Sequence, residues 1–338
     1  MSREMKTKIK IFFSLSFYLN IYLRSYIISL SNKEGGRIME NKKALKFLNY
    51  LILTALFILV LTFSSLAETA PNGIIGFLTD WGETDYFVGA CKGVMLTVEP
   101  DLKLVDISHG VTPFDIQEGA NTLLYAAREF PAGTVFLAIV DPGVGTERKP
   151  LLVVTQNDKY FIAPDNGILT LVINEMGIKK VYELKNNKYF RPGKISKDFH
   201  GRDIFSPMAA HIASGDSVSD VGPELNPKDL VMLPIKKSKV ENKTAIGYVI
   251  YINQYGNIIV NITQDDFDAL GIKLGDDVNV KIGDKTQKIK VGTTYGDVPE
   301  GDWVCFIACN DVLEIAINWG NANEFFKTEL NSIVELKK

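Results

Sequence analysis

The chain has 338 residues, 46% hydrophobic and 23% charged, which is ample for a sizeable core and excludes a disordered, collagenous or coiled-coil protein. The net charge of −3 hides an asymmetry: residues 1–67 carry 10 basic and 3 acidic side chains, leaving 27 basic against 37 acidic in the rest. So acidic a body lacks the basic surface that nucleic-acid binding requires, and three cysteines cannot build a disulfide scaffold.

From Met39, three lysines (Lys42, Lys43, Lys46) precede an apolar run, Leu51 to Phe63, and then Ser65-Leu66-Ala67. This predicts a signal peptide over 39–67, cleaved after Ala67, and an exported mature protein. The rival is an uncleaved anchor, through which the leader would hold the chain to a membrane; the run is short for a bilayer span. Residues 1–38 hold a second apolar stretch, Ile9 to Leu30, interrupted by Asn20 and Arg24, and then Lys33-Glu34-Gly35-Gly36. A purine-rich ribosome-binding stretch read in frame encodes Lys-Glu-Gly-Gly. We therefore read 1–38 as an upstream extension before a true start at Met39; the alternative is a second membrane segment.

Residues 72–222 read as an α/β domain. Ile74 to Thr79 predicts a buried first strand, and residues 85–98 a helix with apolar residues at three and four spacing. Lys103 to Ile107 is the second strand, Asp115 to Phe130 a helix, and Thr134 to Val140 a fully apolar third strand. Leu151 to Thr155 and Lys159 to Ala163 form a hairpin around Asn157-Asp158. Helices follow at Leu169 to Met176 and Ile204 to Ser214. This alternation implies a mostly parallel sheet, which binds ligands at the carboxyl ends of its strands. Prolines punctuate a linker over 223–243. Short strands and Gly/Asp turns then predict a small antiparallel β-barrel over 244–330, with one helix at Asp265 to Leu270.

The polar motifs sit at those strand ends. Asp80, in Thr79-Asp80-Trp81-Gly82, is placed to accept hydrogen bonds from a ribose diol; Asp85 reads as a helix cap or supporting residue. Asp141 follows the third strand directly, in Asp141-Pro142-Gly143-Val144-Gly145-Thr146-Glu147-Arg148. Arg148 is close enough to fold back on Asp141, either to orient a water or to close the loop as a salt bridge. His200, in Phe199-His200-Gly201-Arg202-Asp203, has the most polar setting of the three histidines. His109 ends the second strand, His211 lies in an apolar helix, and Arg202-Asp203 reads as an ion pair. No dinucleotide or phosphate-loop glycine motif, serine elbow or zinc signature is present, so no metal is expected.

The ordered blocks TDWGETDYFVGACKG, DISHGVTPFDIQEGA, FPAGTVFLAIVDPGVGTERKP, IAPDNGILT, FHGRDIFSPMAA, YGNIIVNI and LEIAINWGNA resemble the SAM hydroxide adenosyltransferase family, relatives of fluorinase and chlorinase. The resemblance implies an α/β domain and a β-barrel domain, assembled as a homotrimer with ligand sites between subunits. It implies an enzyme that hydrolyses S-adenosyl-L-methionine (SAM) to adenosine and methionine, with SAM as substrate and no cofactor. It assigns the water-activating triad to Asp141, Arg148 and His200, the ribose contact to Asp80, a wall residue to Phe114, and a methionine-end contact to Asn257. Departures occur at Asn253, where the family has Asp, at Tyr255, where it has Phe, and at Ala308-Cys309-Asn310-Asp311. Asn253 remains a candidate acceptor but lacks the charge that would pair with an ammonium group. Two other readings stay open: a halide-dependent 5′-halo-5′-deoxyadenosine synthase, and a non-catalytic adenosine- or SAM-binding surface protein.

Overall fold

Residues 69–338 are described by a computed structural model; the expectations for 1–38 and 39–67 lie outside the described residues. Six strands form the first sheet: Ile74–Thr79 (β1), Lys103–Ser108 (β2), Val135–Ile139 (β3), Pro150–Thr155 (β4), Tyr160–Pro164 (β5) and Ile178–Glu183 (β6). Their order is β2-β1-β3-β5-β4-β6. β2, β1, β3 and β5 run parallel, and β4 runs antiparallel to both its neighbours because a hairpin joins it to β5. The sheet is therefore mixed and mostly parallel.

β3 and β5 are buried at every position, as strands covered on both faces must be. Alternate residues feed two cores. Phe77, Leu137 and Ile139 pack with Cys91 and Met95 of Phe87–Val98 (α1) and Met208 of Ser206–Ala213 (α4). Leu78, Phe136 and Ala138 pack with Leu123 of Ile116–Glu129 (α2) and Val172 of Thr170–Met176 (α3). α2 starts where Asp115 accepts a hydrogen bond from Glu118 N at 2.9 Å. β6 was not among the expected strands.

The second sheet contains Lys239–Glu241 (β7), Thr244–Ile252 (β8), Ile258–Thr263 (β9), Asp277–Ile282 (β10), Lys285–Val291 (β11), Trp303–Ile307 (β12), Val312–Ile317 (β13) and Ile333–Lys337 (β14). Of these eight strands, β7 is an appendage on β8, and the other seven close a barrel because β14 pairs with both β10 and β8. Gln264–Leu270 (α5) and Ala322–Phe326 (α6) connect its strands. The expectation of an antiparallel barrel needs one correction: β11 and β12 are parallel, with Lys290 opposite Val304 and Val291 opposite Cys305. Residues 292–302 cause this. They form a long connection containing a short helical turn at Tyr295–Asp297, and so return the chain to the same end of the barrel. On the barrel side of α2, Asn121 Nδ2 donates to the carbonyl of Ile250 at 2.7 Å.

Candidate active site

Three neighbouring parallel strands deliver the polar residues. In register, Thr79 lies beside Ile139 and Leu78 beside Ser108. The residues that follow, Asp80, His109 and Asp141, therefore emerge together from the carboxyl edge of the sheet. The β1 corner is pinned from below. Thr79 Oγ1 lies 2.8 Å from His109 Nδ1 and accepts from Trp81 N at 3.3 Å. His109 Nε2 is 3.1 Å from Asp106 Oδ1, without the alignment of a hydrogen bond. Both Thr79 and His109 are buried.

Asp80 Oδ2 accepts from the backbone N–H of Phe114 at 2.9 Å. Phe114 has φ 70° and an exposed ring, so the chain turns sharply there to present the aromatic face beside Asp80. The two residues assigned to the ribose side are thus brought together.

Arg148 folds back onto Asp141. Its Nε donates to Oδ1 at 2.8 Å and to Oδ2 at 3.0 Å, and Nη2 donates to Oδ2. The side chains of the pair are 9% and 7% exposed, so this is a desolvated, two-pronged ion pair whose partners depend on each other. The guanidinium stacks 5.0 Å from the centroid of buried Phe205. Nη2 also reaches His200 Nδ1 at 3.3 Å. A guanidinium can only donate, so Nδ1 is the acceptor and the proton of the neutral ring sits on Nε2. Burial, and then the Arg148 charge, push the His200 pKa below its ordinary 6.5, although nearby carboxylates oppose the shift.

Two glycines let these loops meet. Gly145, at φ 78°, lies so close to the loop before His200 that a Cβ would stand 2.5 Å from the Lys197 carbonyl. A Cβ on Gly201 would stand 2.6 Å from Cη2 of Trp81. Trp81 in turn packs edge-on against Phe77, Phe87 and Phe199. The Asp80, Asp141 and His200 segments are therefore wedged together through Trp81 and the glycine loop. His200 directly precedes a π-helical turn, Gly201–Phe205, which runs into α4.

The Arg202–Asp203 pair is structural. Arg202 donates to Asp203 at 2.7 and 3.0 Å, and Ser196 contributes its N–H and hydroxyl at 2.8 and 2.7 Å. Burial opposes ionisation of Asp203, but the hydrogen bonds from Arg202 and Ser196 outweigh it and bring the carboxyl down to about 2. His211 is tied to Asp216 at 2.8 Å on the surface side of α4.

Asn253 and Asn257 form a separate group in the barrel. Asn253 Oδ1 accepts from the N–H groups of Tyr255 and Asn257 at 3.0 and 3.1 Å, which commits it to its own turn. Asn257 Nδ2 donates to Glu314 Oε1 at 2.7 Å, and Tyr295 OH donates to the same oxygen at 2.7 Å. Among the described residues, no hydrogen bond joins these to the Asp141 cluster. Trp81, Glu314 and Tyr295 were not singled out in the sequence. A signal existed for Glu314: it is the one charged residue inside the apolar run Val312–Ile317. Among the described residues, no group of three or more His, Cys, Asp or Glu side chains is arranged to hold a metal ion.

Residues 75–222 match the SAM hydroxide adenosyltransferase N-terminal domain, and residues 247–335 match the C-terminal domain. The chain is 33% identical to an (R)-S-adenosyl-L-methionine hydrolase of Salinispora tropica, over 75% of this chain and 93% of that protein. It is 32% identical to a fluorinase of Nocardia brasiliensis, over 74% of this chain and 93% of that one. A crystal structure of an uncharacterized conserved protein from Thermotoga maritima superposes with a TM-score of 0.75 at 39% identity, covering 78% of this chain and all of that one.

Proposed function

The chain belongs to the SAM hydroxide adenosyltransferase family, and from that membership and the site's geometry we propose that it hydrolyses SAM to adenosine and L-methionine. The observation that carries the choice of nucleophile is the Asp141–Arg148–His200 array. A carboxylate at the nucleophile position repels a halide, whereas it accepts a hydrogen bond from water. Hydrolysis is thereby favoured over halide transfer.

In this reading Asp80 holds the ribose diol, with Phe114 beside it. A water lies behind C5′, donating to a free lone pair of Asp141 and accepting from Nε2–H of His200. Arg148 fixes both partners. The water's oxygen forms a bond to C5′ as the C5′–S bond breaks, and the sulfonium takes the electron pair to leave as neutral methionine sulfur. The new C5′ oxygen is briefly a protonated alcohol, a strong acid. The Asp141 carboxylate is far more basic than an alcohol oxygen and takes this proton, passing it to solvent. The array therefore works mainly by positioning.

Asn253 and Asn257 belong to this site only if a barrel reaches it. Membership of the family supports the reading that a neighbouring chain's barrel completes the pocket in a homotrimer. The lysine-rich start and apolar run over 39–67 support export after cleavage near Ala67. Incubation of the purified chain with SAM, with adenosine and methionine quantified, tests the activity. Equal molar amounts of the two, unchanged when chloride or fluoride replaces acetate, are expected. A halogenated nucleoside, or bound but unconverted SAM, would contradict the reading.

A further inference from the structure

Glu314 sits on β13 opposite Ile259, 8% exposed, with no cationic partner among the described residues. A carboxylate so placed needs donors, and it has two on one oxygen: Asn257 Nδ2 and Tyr295 OH, each at 2.7 Å. Asn257 is itself 5% exposed. The orientation of an amide is often arbitrary, but not here. A carboxylate cannot donate to a carbonyl oxygen, so the Asn257 nitrogen must face Glu314 and the oxygen must face away. No protein group among the described residues donates to that oxygen. Tyr295 reinforces the arrangement. Burial and the adjacent Glu314 push its phenol up to about 12, so it remains a donor across the physiological range.

We propose that Glu314 is a positioning residue that locks the Asn257 carboxamide with its oxygen outward, as a dedicated acceptor for an N–H group of the substrate. This rests on the reading of Asn257 as a SAM contact. SAM carries two such groups, the methionine ammonium and the adenine amine, and an acceptor-only surface suits either. A freely rotating amide would accept and donate equally and so discriminate poorly. The lock makes Asn257 select for a donor and against a group that only accepts.

Kinetics of the full chain distinguish the two sources. The probes are SAM, an analogue without the α-amino group, and an analogue with hypoxanthine in place of adenine. The wild type is expected to show a KM about 10-fold or more higher for the one analogue that lacks the contacted group. In Glu314→Ala that ratio should collapse to below about 3, with KM for SAM raised more than kcat is lowered. Glu314→Gln keeps one acceptor for Asn257 and should restore part of the ratio. A ratio unchanged in Glu314→Ala, or no discrimination against either analogue by the wild type, overturns the proposal. A second measurement needs no turnover: hydrogen exchange of the Asn257 side-chain amide by NMR, assigned by its loss in Asn257→Asp. Slow exchange in the wild type, faster by about 10-fold or more in Glu314→Ala, is expected for a locked amide. Wild-type exchange as fast as that of a free carboxamide would refute the lock, whether or not SAM is hydrolysed and whether or not the alanine variant folds.

Discussion

Arg148 Nη2 points at His200 Nδ1 across 3.3 Å, so the one side chain that anchors Asp141 also dictates which nitrogen of His200 carries its proton. A cation beside an imidazole opposes protonation, and burial does so more strongly.

The first prediction concerns pH. His200 in the folded chain should titrate below 6.5 by NMR. The unfolded chain then binds more protons than the folded one as pH falls past that value. Stability from this group is fully present above pH 6.5 and is lost as pH drops towards the folded pKa. Asp141 raises the His200 pKa, so Asp141→Asn should move the midpoint further towards acid. A midpoint above 6.5 in the wild type would contradict the arrangement.

The glycine wedge makes a second prediction. Gly145 has φ 78° and would place a Cβ 2.5 Å from the Lys197 carbonyl, whereas Gly215 has φ 99° and open space around it. Gly145→Ala should cost about 2 kcal/mol or more and lower kcat by separating the Asp141 and His200 loops. Gly215→Ala should cost stability by strain alone, with kcat retained. Thermal melts and steady-state rates of both variants provide the comparison; equal kcat in the two would show that the wedge is irrelevant to the site.

How much of this was legible beforehand follows from where each signal resides. β3 and its Asp141 loop were readable because a fully apolar run ends abruptly at a charge, with Arg148 a short loop away. β6 was missed because Lys179 and Lys180 interrupt its apolar pattern, as expected of a sheet's outer strand. β14 escaped for a similar reason: its sequence, Ile-Val-Glu-Leu-Lys, sits in a charged tail, and only barrel closure gives it partners. The π-helical turn after His200 is a matter of hydrogen-bond register, which side-chain periodicity does not encode. The commitment of Asn253 to its own turn, and of Asn257 to Glu314, depends on contacts made after folding.

The cysteines give a third prediction. Cys91 and Cys305 are buried, and burial pushes both thiols up to about 12, while Cys309 is exposed; all three are free. Titration of the native, unreduced protein with a thiol reagent should find one fast-reacting group per chain, and denaturation should raise the count to three. A denatured count of one would reveal a disulfide.

On the ribose side, Asp80 contacts Phe114 N in the folded chain and, in our reading, the substrate throughout the reaction. Asp80→Asn retains an acceptor for Phe114 N but weakens the hold on the diol. KM for SAM should rise about 10-fold while kcat changes by less than about 3-fold. A fall confined to kcat would instead move Asp80 into the chemical step.

The most direct test of the account is the kcat and KM of Asp141→Asn with SAM, with adenosine and methionine measured as products. The substitution keeps the size of the side chain but removes the charge that holds Arg148 and, in our reading, receives the water's proton. We expect kcat to fall about 10²–10⁴-fold with KM within a few-fold of wild type. A variant that hydrolyses SAM at a near-wild-type kcat would reduce the Asp141–Arg148 pair to a loop-closing salt bridge and contradict the mechanism.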